Sequence, residues 1–374
     1  MAGVYIHIPF CKKACHYCNF HFSTSLKGRN DFIHALLKEA ELQKEYLQGE
    51  SIETLYFGGG TPSLLDQADI NSILEKIFKL FPVLADAEIT LEANPDDITD
   101  ESVKNWKHAG INRLSIGVQS FFAEDLLWMN RAHSAAQAEN SIKIAQDELL
   151  DNISIDLIYG SPTLDDSRWE KNVQRAVNFH VPHLSCYALT VEPNTALHTM
   201  IRQHKKENVN SEDQARQFML LMQWMEENGY EHYEISNFAV PGKRSRHNSA
   251  YWQGKKYLGL GPSAHSYNGS SRQWNIANNN LYIQTLSKDE LAFDNEVLTE
   301  AQLVNEYIMT SIRTTEGIDL ELVATRFNPT IKNTIEIRSE KYIDALKLRK
   351  EDSRIVLTRE GKLFADGIAS DLFF

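Results

Sequence analysis

The stretch VYIHIPFCKKACHYC, residues 4–18, joins a short apolar run to three closely spaced cysteines. Residues 4–8 have the length and β-branched content of a buried strand. Further short runs of this kind occur at residues 54–57, 88–93, 113–118, 153–158 and 183–189. Amphipathic stretches lie between them, for example at residues 31–46, 68–80, 135–147 and 169–178. This alternation predicts an α/β protein in which parallel strands and crossover helices form a partial (β/α) TIM-like barrel.

The length of 374 residues favours one barrel-sized domain and a smaller one. From about residue 295 the pattern becomes helical, followed by a strand-like RIVLT at residues 354–358 and a turn at Glu360 and Gly361. We therefore predict domains at residues 1–290 and 291–374, the second small, mostly helical and winged-helix-like. The methionine-rich stretch 212–228 is typical of a core helix.

The charge balance restricts the partners. With 38 basic and 51 acidic side chains the net charge is -13, which disfavours attraction to nucleic acid. A covering or partner-docking role is therefore expected for the C-terminal domain. The N-terminus lacks the pattern of a secretory signal, and no apolar stretch is long enough to span a bilayer, so we expect a cytoplasmic protein without an integral membrane segment.

Cys11, Cys15 and Cys18 form a C-x3-C-x2-C loop directly after the first strand. Three thiolates from one short loop can hold a four-iron, four-sulfur cluster and leave one iron open to another ligand. A Cys3His zinc site completed by His21 is the alternative. Cys186 lies within a strand-like run and is expected to be a buried apolar residue.

Polar or glycine residues stand at the ends of the other predicted strands. Gly58, Gly59 and Gly60 follow the second strand, Glu92 and Asn94 end the third, Gln119 ends the fourth, and Asp156 lies in the fifth. Taken singly, such residues are common in turns. Because the carboxyl ends of barrel strands meet at one rim, together they predict a binding site there.

The motif YIHIPFCKKACHYC resembles the opening of radical S-adenosylmethionine (SAM) proteins of the oxygen-independent coproporphyrinogen oxidase group, and the resemblance covers most of the chain. It implies a radical SAM core, a 4Fe-4S cluster on the three cysteines, and SAM bound to the open iron. Electron transfer from the cluster cleaves SAM in that superfamily. An electron donor would therefore be a partner if this chain cleaves SAM.

The same resemblance implies which residues contact SAM, through the motifs FGGGTP, TLEANP, GVQSF, NRAH, DLIYG and CYAL. Glycine allows close backbone approach, while carboxylate and guanidinium groups can bind the hydroxyl, ammonium and carboxylate groups of SAM. The implied SAM residues are Tyr5, Tyr17, Gly59, Gly60, Thr61, Glu92, Gln119, Arg131, Asp156 and Ala188.

Two features separate the functions found in this group. Members that oxidise coproporphyrinogen carry a further cysteine two residues after the third, where this chain has Phe20. Residues 247–252, HNSAYW, resemble the HNxxYW motif of HemW-type haem chaperones. The resemblance implies that His247 ligates haem iron while Tyr251 and Trp252 stack on the porphyrin. His265 or a cysteine is the alternative ligand.

The favoured interpretation is a radical SAM haem chaperone that delivers haem to apo-haemoproteins such as respiratory cytochromes. The alternative is an oxygen-independent coproporphyrinogen III oxidase, which removes propionate carboxyls by radical chemistry. A homodimer and attachment to a membrane surface through a partner are both compatible with this interpretation.

Overall fold

A computed structural model describes residues 1–374 and contains two main hydrophobic cores. The larger has 56 buried residues between Ala2 and Leu286, and the second has 14 between Val304 and Leu372. None of the helices combines the length and apolar character needed to cross a membrane.

Six parallel strands form the centre of the main sheet, in chain order and where the sequence predicts them. They are β1 (Ala2–Ile8), β2 (Ile52–Gly59), β3 (Val83–Ala93), β4 (Arg113–Gln119), β5 (Ile153–Tyr159) and β6 (His183–Ala188).

Helices connect these strands and bury their apolar faces on the sheet. The predicted helix at 31–46 ends earlier, at Leu42. The methionine-rich helix packs into the large core through Phe218, Leu221, Met222 and Met225, as expected. The helices are α1 (Arg29–Leu42), α2 (Gln67–Leu80), α3 (Asp100–Ala109), α4 (Ala123–Met129), α5 (Ala135–Asp147), α6 (Asp166–Asn178), α7 (Ala196–Arg202) and α8 (Ser211–Glu227).

Six further strands, which the sequence does not predict, extend the sheet on both sides. On the β6 side lie the antiparallel β7 (Glu231–Glu234) and β8 (Asn237–Ala239). After α9 (Arg246–Trp252), β9 (Tyr257–Leu260) pairs in parallel with β1. Antiparallel strands β10 (His265–Tyr267), β11 (Ser271–Asn275) and, after α10 (Asn279–Leu286), β12 (Phe293–Val297) continue from it. The twelve strands form an open sheet from β12 to β7, which is the expected partial barrel.

The two faces of the central strands differ in polarity. Side chains alternate along a strand, so Val4, Ile6 and Ile8 share the face that belongs to the large core. Tyr5 and His7 lie on the other, inner face. Buried polar residues continue that face on neighbouring strands, including Thr54, Glu88, Thr90, Arg113, Ser154 and His183. Because buried polar groups need partners, the inner face is the natural place for a polar ligand site.

The C-terminal region packs around the second core. Its small antiparallel sheet consists of β13 (Ile318–Asp319), β14 (Leu348–Glu351) and β15 (Arg354–Leu357), with β15 in the middle. The rest of the region is mostly helical, as expected. Strand β12 still belongs to the large sheet, so the change to the second core falls between Val297 and Val304. The elements are α11 (Glu300–Ile312), β13 (Ile318–Asp319), α12 (Leu320–Arg326), α13 (Pro329–Asp344), β14 (Leu348–Glu351), β15 (Arg354–Leu357) and α14 (Ala365–Leu372).

Candidate functional site

The cysteine loop lies at the carboxyl end of β1 and is tied to neighbouring loops. Lys12 forms ion pairs with Asp96, at 2.9 Å, and with Asp97. The Asn130 amide donates to the carbonyl oxygen of Ala14 at 2.7 Å. These contacts come from segments more than 80 residues away. The loop is therefore held at the rim by the ends of β3 and α4.

The three cysteines of the loop are partly exposed thiols. Burial raises the pKa of Cys18 to about 11, so bound iron would have to stabilise the thiolate. No group of His, Cys, Asp or Glu side chains is close enough to hold a single metal ion. Three thiolates suit a multi-iron cluster, whose irons occupy separate corners. His21 Nε2 bonds to Asn279 Oδ1 at 2.7 Å, which gives the zinc alternative no support.

Cys186 lies on β6, outside the cysteine loop. Its side chain is buried in the large core, on the sheet face opposite Asp156, as the sequence predicts. Burial raises the pKa of the Cys186 thiol well above its usual range.

Arg131 joins the cysteine loop to the ends of β3 and β4. Its guanidinium donates to Asn94 Oδ1 at 2.6 Å and to the carbonyl oxygen of Gly117 at 2.8 Å. A second nitrogen lies 3.3 Å from Cys15 Sγ and 3.5 Å from the hydroxyl of Tyr17. Nε is buried without a partner. A fixed cation with an unused donor beside the cysteines fits the carboxylate of an amino-acid ligand such as SAM.

Glu92 and Asp156 provide two carboxyl groups on the inner face. The Tyr56 hydroxyl donates to Glu92 Oε1 at 2.8 Å. Burial raises the pKa of Glu92 to about 7. The Asp156 charge raises this pKa further, while the hydrogen bond from Tyr56 lowers it. Burial likewise raises the pKa of Asp156 to about 6, opposed by the Arg113 charge. Such carboxyl groups favour a cationic or hydroxyl-bearing ligand that replaces lost hydration.

Two of the glycines of FGGGTP lie close to β1 and to the residues that follow it. A Cβ on Gly59 would lie 2.6 Å from the His7 ring, and one on Gly60 would lie 2.6 Å from the carbonyl oxygen of Phe10. The amides of Gly60 and Thr61 already donate to the carbonyl oxygens of Ile8 and Phe10. These two amides are therefore not free for a ligand, and packing against β1 is what requires glycine.

Of the other predicted SAM residues, Gln119 and Ala188 end their strands and Tyr5 lies in the middle of β1. Tyr5 lies beside Tyr56, with ring centroids 6.1 Å apart, and Ala188 ends β6 beside β5. Gln119 has a φ of 63°, in the left-handed region, next to an irregularity in the pairing of β4 with β5. Such strain in a residue other than glycine is frequent at binding sites. The structure thus places most of the residues implied by the resemblance at the carboxyl ends of the strands, with Tyr5 and Asp156 farther inside, in the middle of β1 and β5.

The helix α9 carries the HNSAYW motif and lies against the inner face near the start of β1 and β2. Ser245 caps it, and the Glu88 carboxylate accepts hydrogen bonds from the amides of Arg246, at 3.1 Å, and His247, at 3.0 Å. A carboxylate at a helix N-terminus is stabilised by the unpaired amides there. Glu88 therefore attaches the motif helix to β3.

The side chain of His247 is buried between α9 and strand β2. Its Nδ1 lies 2.8 Å from Thr54 Oγ1, and its ring stacks on Tyr56 with centroids 4.8 Å apart. Burial and the Arg113 charge lower the pKa of His247 to about 3, so the ring is neutral. Nε2 is buried and has no partner. A neutral imidazole with one free nitrogen has the chemistry of a metal ligand.

A cavity of about 610 Å³ separates α9 and the large sheet from α11 and α12. His247 does not line it, but Tyr251 does, and its ring packs edge-on against the His247 ring with centroids 5.0 Å apart. Cofactor pockets usually have volumes of roughly 300–1,000 Å³. The aromatic residues lining the cavity are Tyr187, Tyr251, Trp252, Tyr257, Tyr267 and Tyr307.

Two residues of the inner face, Tyr56 and Arg113, are not predicted from the sequence. Tyr56 contacts both Glu92 and His247. Arg113 is buried in the barrel interior with two nitrogens that make no hydrogen bond, of which Nε lies 3.9 Å from Glu88 Oε2. Alternation along β2 could have placed Tyr56 on the same face as Gly58. For Arg113, a charged residue at the start of an apolar strand is the only signal.

Two family models and a solved structure match this chain. A family model described as the Radical SAM superfamily matches residues 5–176, and one described as the HemN C-terminal domain matches residues 298–364. The solved structure of coproporphyrinogen III oxidase (HemN) from Escherichia coli has a TM-score of 0.86 at 21% identity, covering 100% of this chain and 90% of that chain. That likeness shows the fold.

Two curated relatives match almost from end to end. The protein named heme chaperone HemW from Bacillus subtilis is 30% identical and is covered over 98% of both chains. The protein of that name from Mycobacterium tuberculosis H37Rv is 32% identical over 99% of this chain and 94% of the relative. The chain therefore belongs to the HemW family of radical SAM proteins.

Proposed function

We propose that this chain is a radical SAM haem chaperone, which binds haem and delivers it to apo-haemoproteins such as respiratory cytochromes. The relatives that match over nearly their whole length carry the name heme chaperone. The observation that carries the proposal for this chain is the position of Tyr251 and Trp252 on an aromatic cavity of about 610 Å³.

The rim provides the second part of the proposed function. Cys11, Cys15 and Cys18 would hold the 4Fe-4S cluster of the radical SAM family, which with SAM supplies one-electron chemistry when bound. Arg131 would bind the SAM carboxylate through its unpaired Nε. Glu92 and Asp156 would accept from the ammonium or ribose groups of SAM, and Tyr56 holds Glu92 in place at 2.8 Å.

His247 is the proposed iron ligand, through its unpaired Nε2. Tyr251, which lines the cavity, contacts the His247 ring, so ligation requires this tyrosine or α9 to shift. Loss of the 2.8 Å contact with Thr54 would accompany a large rotation of the ring. Haem binding through His247 is thus proposed to be coupled to a local rearrangement of α9.

A haem titration combined with a coproporphyrinogen III assay on one anaerobically reconstituted sample tests the function. We expect a Soret band at one site and no decarboxylation, because Phe20 stands where the oxidising members carry a further cysteine. Steady conversion of coproporphyrinogen III would instead establish the oxidase alternative. Absence of haem binding in cluster-loaded protein would refute the chaperone.

The His247→Ala variant then tests the ligand. We expect a displaced Soret band and weaker binding, with the iron content of the cluster unchanged. Ser249→Ala, in the same helix but at a position that the HNxxYW motif leaves variable and that does not line the cavity, is the matched control. An unchanged Soret band in His247→Ala would move the ligand to another residue, such as His265, without removing the haem function.

A further inference from the structure

The charged side chains around the cavity differ in sign from the rest of the chain. Lys255, Arg272, Arg313 and Arg326 line it, opposed by Glu234 and Glu306. The whole chain has a net charge of -13. A local excess of cations in an acidic protein favours an anionic ligand, and low-dielectric walls strengthen that preference.

Arg326 is the cation that remains available. Lys255 pairs with Glu53 at 2.5 Å, and Arg313 pairs with Glu234 at 3.4 Å. Arg326, on α12, pairs with no carboxylate and lies over the ring of Phe327 at 5.2 Å. Its planar donor group can bind a carboxylate through two parallel hydrogen bonds.

Trp252 offers a second unused donor at the same cavity. Its indole Nε1 is buried and has no partner. The Arg313 guanidinium lies 5.5 Å from the centre of its ring, on one face. Because an indole nitrogen can only donate, burial without an acceptor is unfavourable. An acceptor group on a ligand in the cavity would satisfy it.

The C-terminal domain adds an apolar wall. Met309 and Leu322 line the cavity and remain 37% and 44% exposed. Large exposed apolar side chains on a concave surface indicate a surface that a ligand covers. The cavity therefore combines flat aromatic rings, an apolar wall and unpaired donors.

We propose that this cavity, formed by both domains, binds a planar aromatic dicarboxylate such as haem by its carboxylates. Arg326 is the first carboxylate partner and Trp252 Nε1 an additional donor. Arg272, which pairs with Glu306, is the second carboxylate partner. The inference rests on the proposed haem function and adds to it the location of the propionates and the participation of the C-terminal domain.

The experiment compares two probes on the full-length, cluster-loaded protein. Haemin carries two free propionates, whereas haemin dimethyl ester has the same macrocycle with both carboxylates blocked. We expect wild type to bind haemin at least tenfold more tightly than the ester. In Arg326→Ala, haemin affinity should fall roughly tenfold while ester affinity changes little, because one charge-assisted pair is lost.

The Glu306→Gln variant should change haemin affinity in the direction opposite to Arg326→Ala. It removes a carboxylate from the lining and releases Arg272, so haemin affinity should rise several-fold. Damage to folding does not produce such a gain. Arg349→Ala, an exposed arginine of the same domain that pairs with Glu351 outside this cavity, is the control and should leave both affinities unchanged.

The outcomes separate this inference from the function. Wild type that fails to bind haemin refutes the proposed chaperone function. Wild type that binds haemin and its ester equally, with no change in Arg326→Ala or Glu306→Gln, overturns the cavity proposal and leaves the haem function standing. A loss of affinity for both probes in Arg326→Ala would also overturn it, because the effect would not depend on carboxylates.

Discussion

The rim of the barrel and the cavity beneath the C-terminal domain are built in different ways. At the rim, Arg131 bonds to Asn94, Gly117 and Cys15, so groups from distant loops are fixed before a ligand arrives. The cavity instead lies between two separate cores, with Trp252 and Arg326 left unpaired. A preorganised site gains affinity because little has to be ordered on binding. A site between domains is more easily opened, which suits a ligand that must be released.

The largest expected effect is loss of the cluster. Replacing Cys11, Cys15 or Cys18 with Ser should abolish iron retention, where wild type holds about four irons per chain if the cluster is intact. Iron and sulfide analysis of anaerobically purified protein measures this. Cys186→Ser is the matched control and should retain the cluster, because that thiol is buried in the large core. Equal loss from Cys186→Ser would show that the ligands are misassigned.

Removal of a rim carboxylate should weaken the binding of SAM and leave the binding of haem unchanged. Glu92→Gln or Asp156→Ala should weaken SAM binding by roughly 1 to 3 kcal/mol, the cost of losing hydrogen bonds to charged groups. Equilibrium dialysis with SAM and a parallel haem titration distinguish the two sites. Glu41→Gln, an exposed carboxylate on α1, serves as control. Similar weakening of SAM binding in Glu41→Gln would mean that the effect is not local.

The contributions of His247 and Glu92 to the free energy of unfolding should change with pH in opposite directions. The pKa of His247 is lowered to about 3, so the unfolded chain binds the proton more readily and stability falls as pH drops below about 6.5. At pH 5.5 this amounts to about 1.4 kcal/mol. The pKa of Glu92 is raised to about 7, so the folded protein holds this proton more tightly than the unfolded chain does. The stability that Glu92 contributes at low pH is therefore lost as pH rises from about 4.5 through 7.

Urea unfolding of the cluster-free protein between pH 5 and 8 measures these contributions. His247→Gln should flatten the acid side of the profile, and Glu92→Gln should remove the loss of stability that Glu92 causes between about pH 4.5 and 7. His232→Gln is a useful reference, because burial lowers the pKa of that histidine to about 3 as well, outside both sites. Parallel profiles for wild type and His247→Gln would show that His247 titrates normally.

The smallest effects are expected from the stacking residues. Tyr251→Ala and Trp252→Ala should each weaken haem binding by ~0.5 to 1.5 kcal/mol beyond the loss of buried area. Trp252→Phe, which keeps a ring but removes the indole donor, separates stacking from hydrogen bonding. If Trp252→Phe binds haemin as wild type does, Nε1 has no part in recognition.

The parts of the fold that sequence could predict are those with strong local patterns. Residues 4–8 and 153–158 are predicted as strands from their apolar, β-branched runs. These runs exist because one face of each strand is buried in the large core. Strand β12, with the sequence FDNEV, is mostly exposed and has strand geometry because it pairs with β11. No local periodicity marks such an edge strand. Strand β7, with the sequence EHYE, also has no local pattern that would predict a strand.

The candidate site shows the same limit. Cys11, Glu92 and Arg131 could be identified from motifs, since their residue types and spacing carry the chemistry. The burial of His247 could not, because its partners Thr54 and Tyr56 come from β2, more than 190 residues earlier in the chain. Likewise, the close approach of Gly59 to His7 follows from the register of β1 and β2.

The attachment of α9 to β3 through Glu88 has a practical consequence. Glu88 and Glu92 are four residues apart on one strand, roughly 13 Å at the rise of a strand. A single segment of backbone therefore has the haem-motif helix at one end and the proposed SAM carboxylate at the other. Hydrogen exchange in one peptide that covers residues 88–92 would report on the occupancy of both sites, so a sequential addition of SAM and haem can be followed without a label at either site.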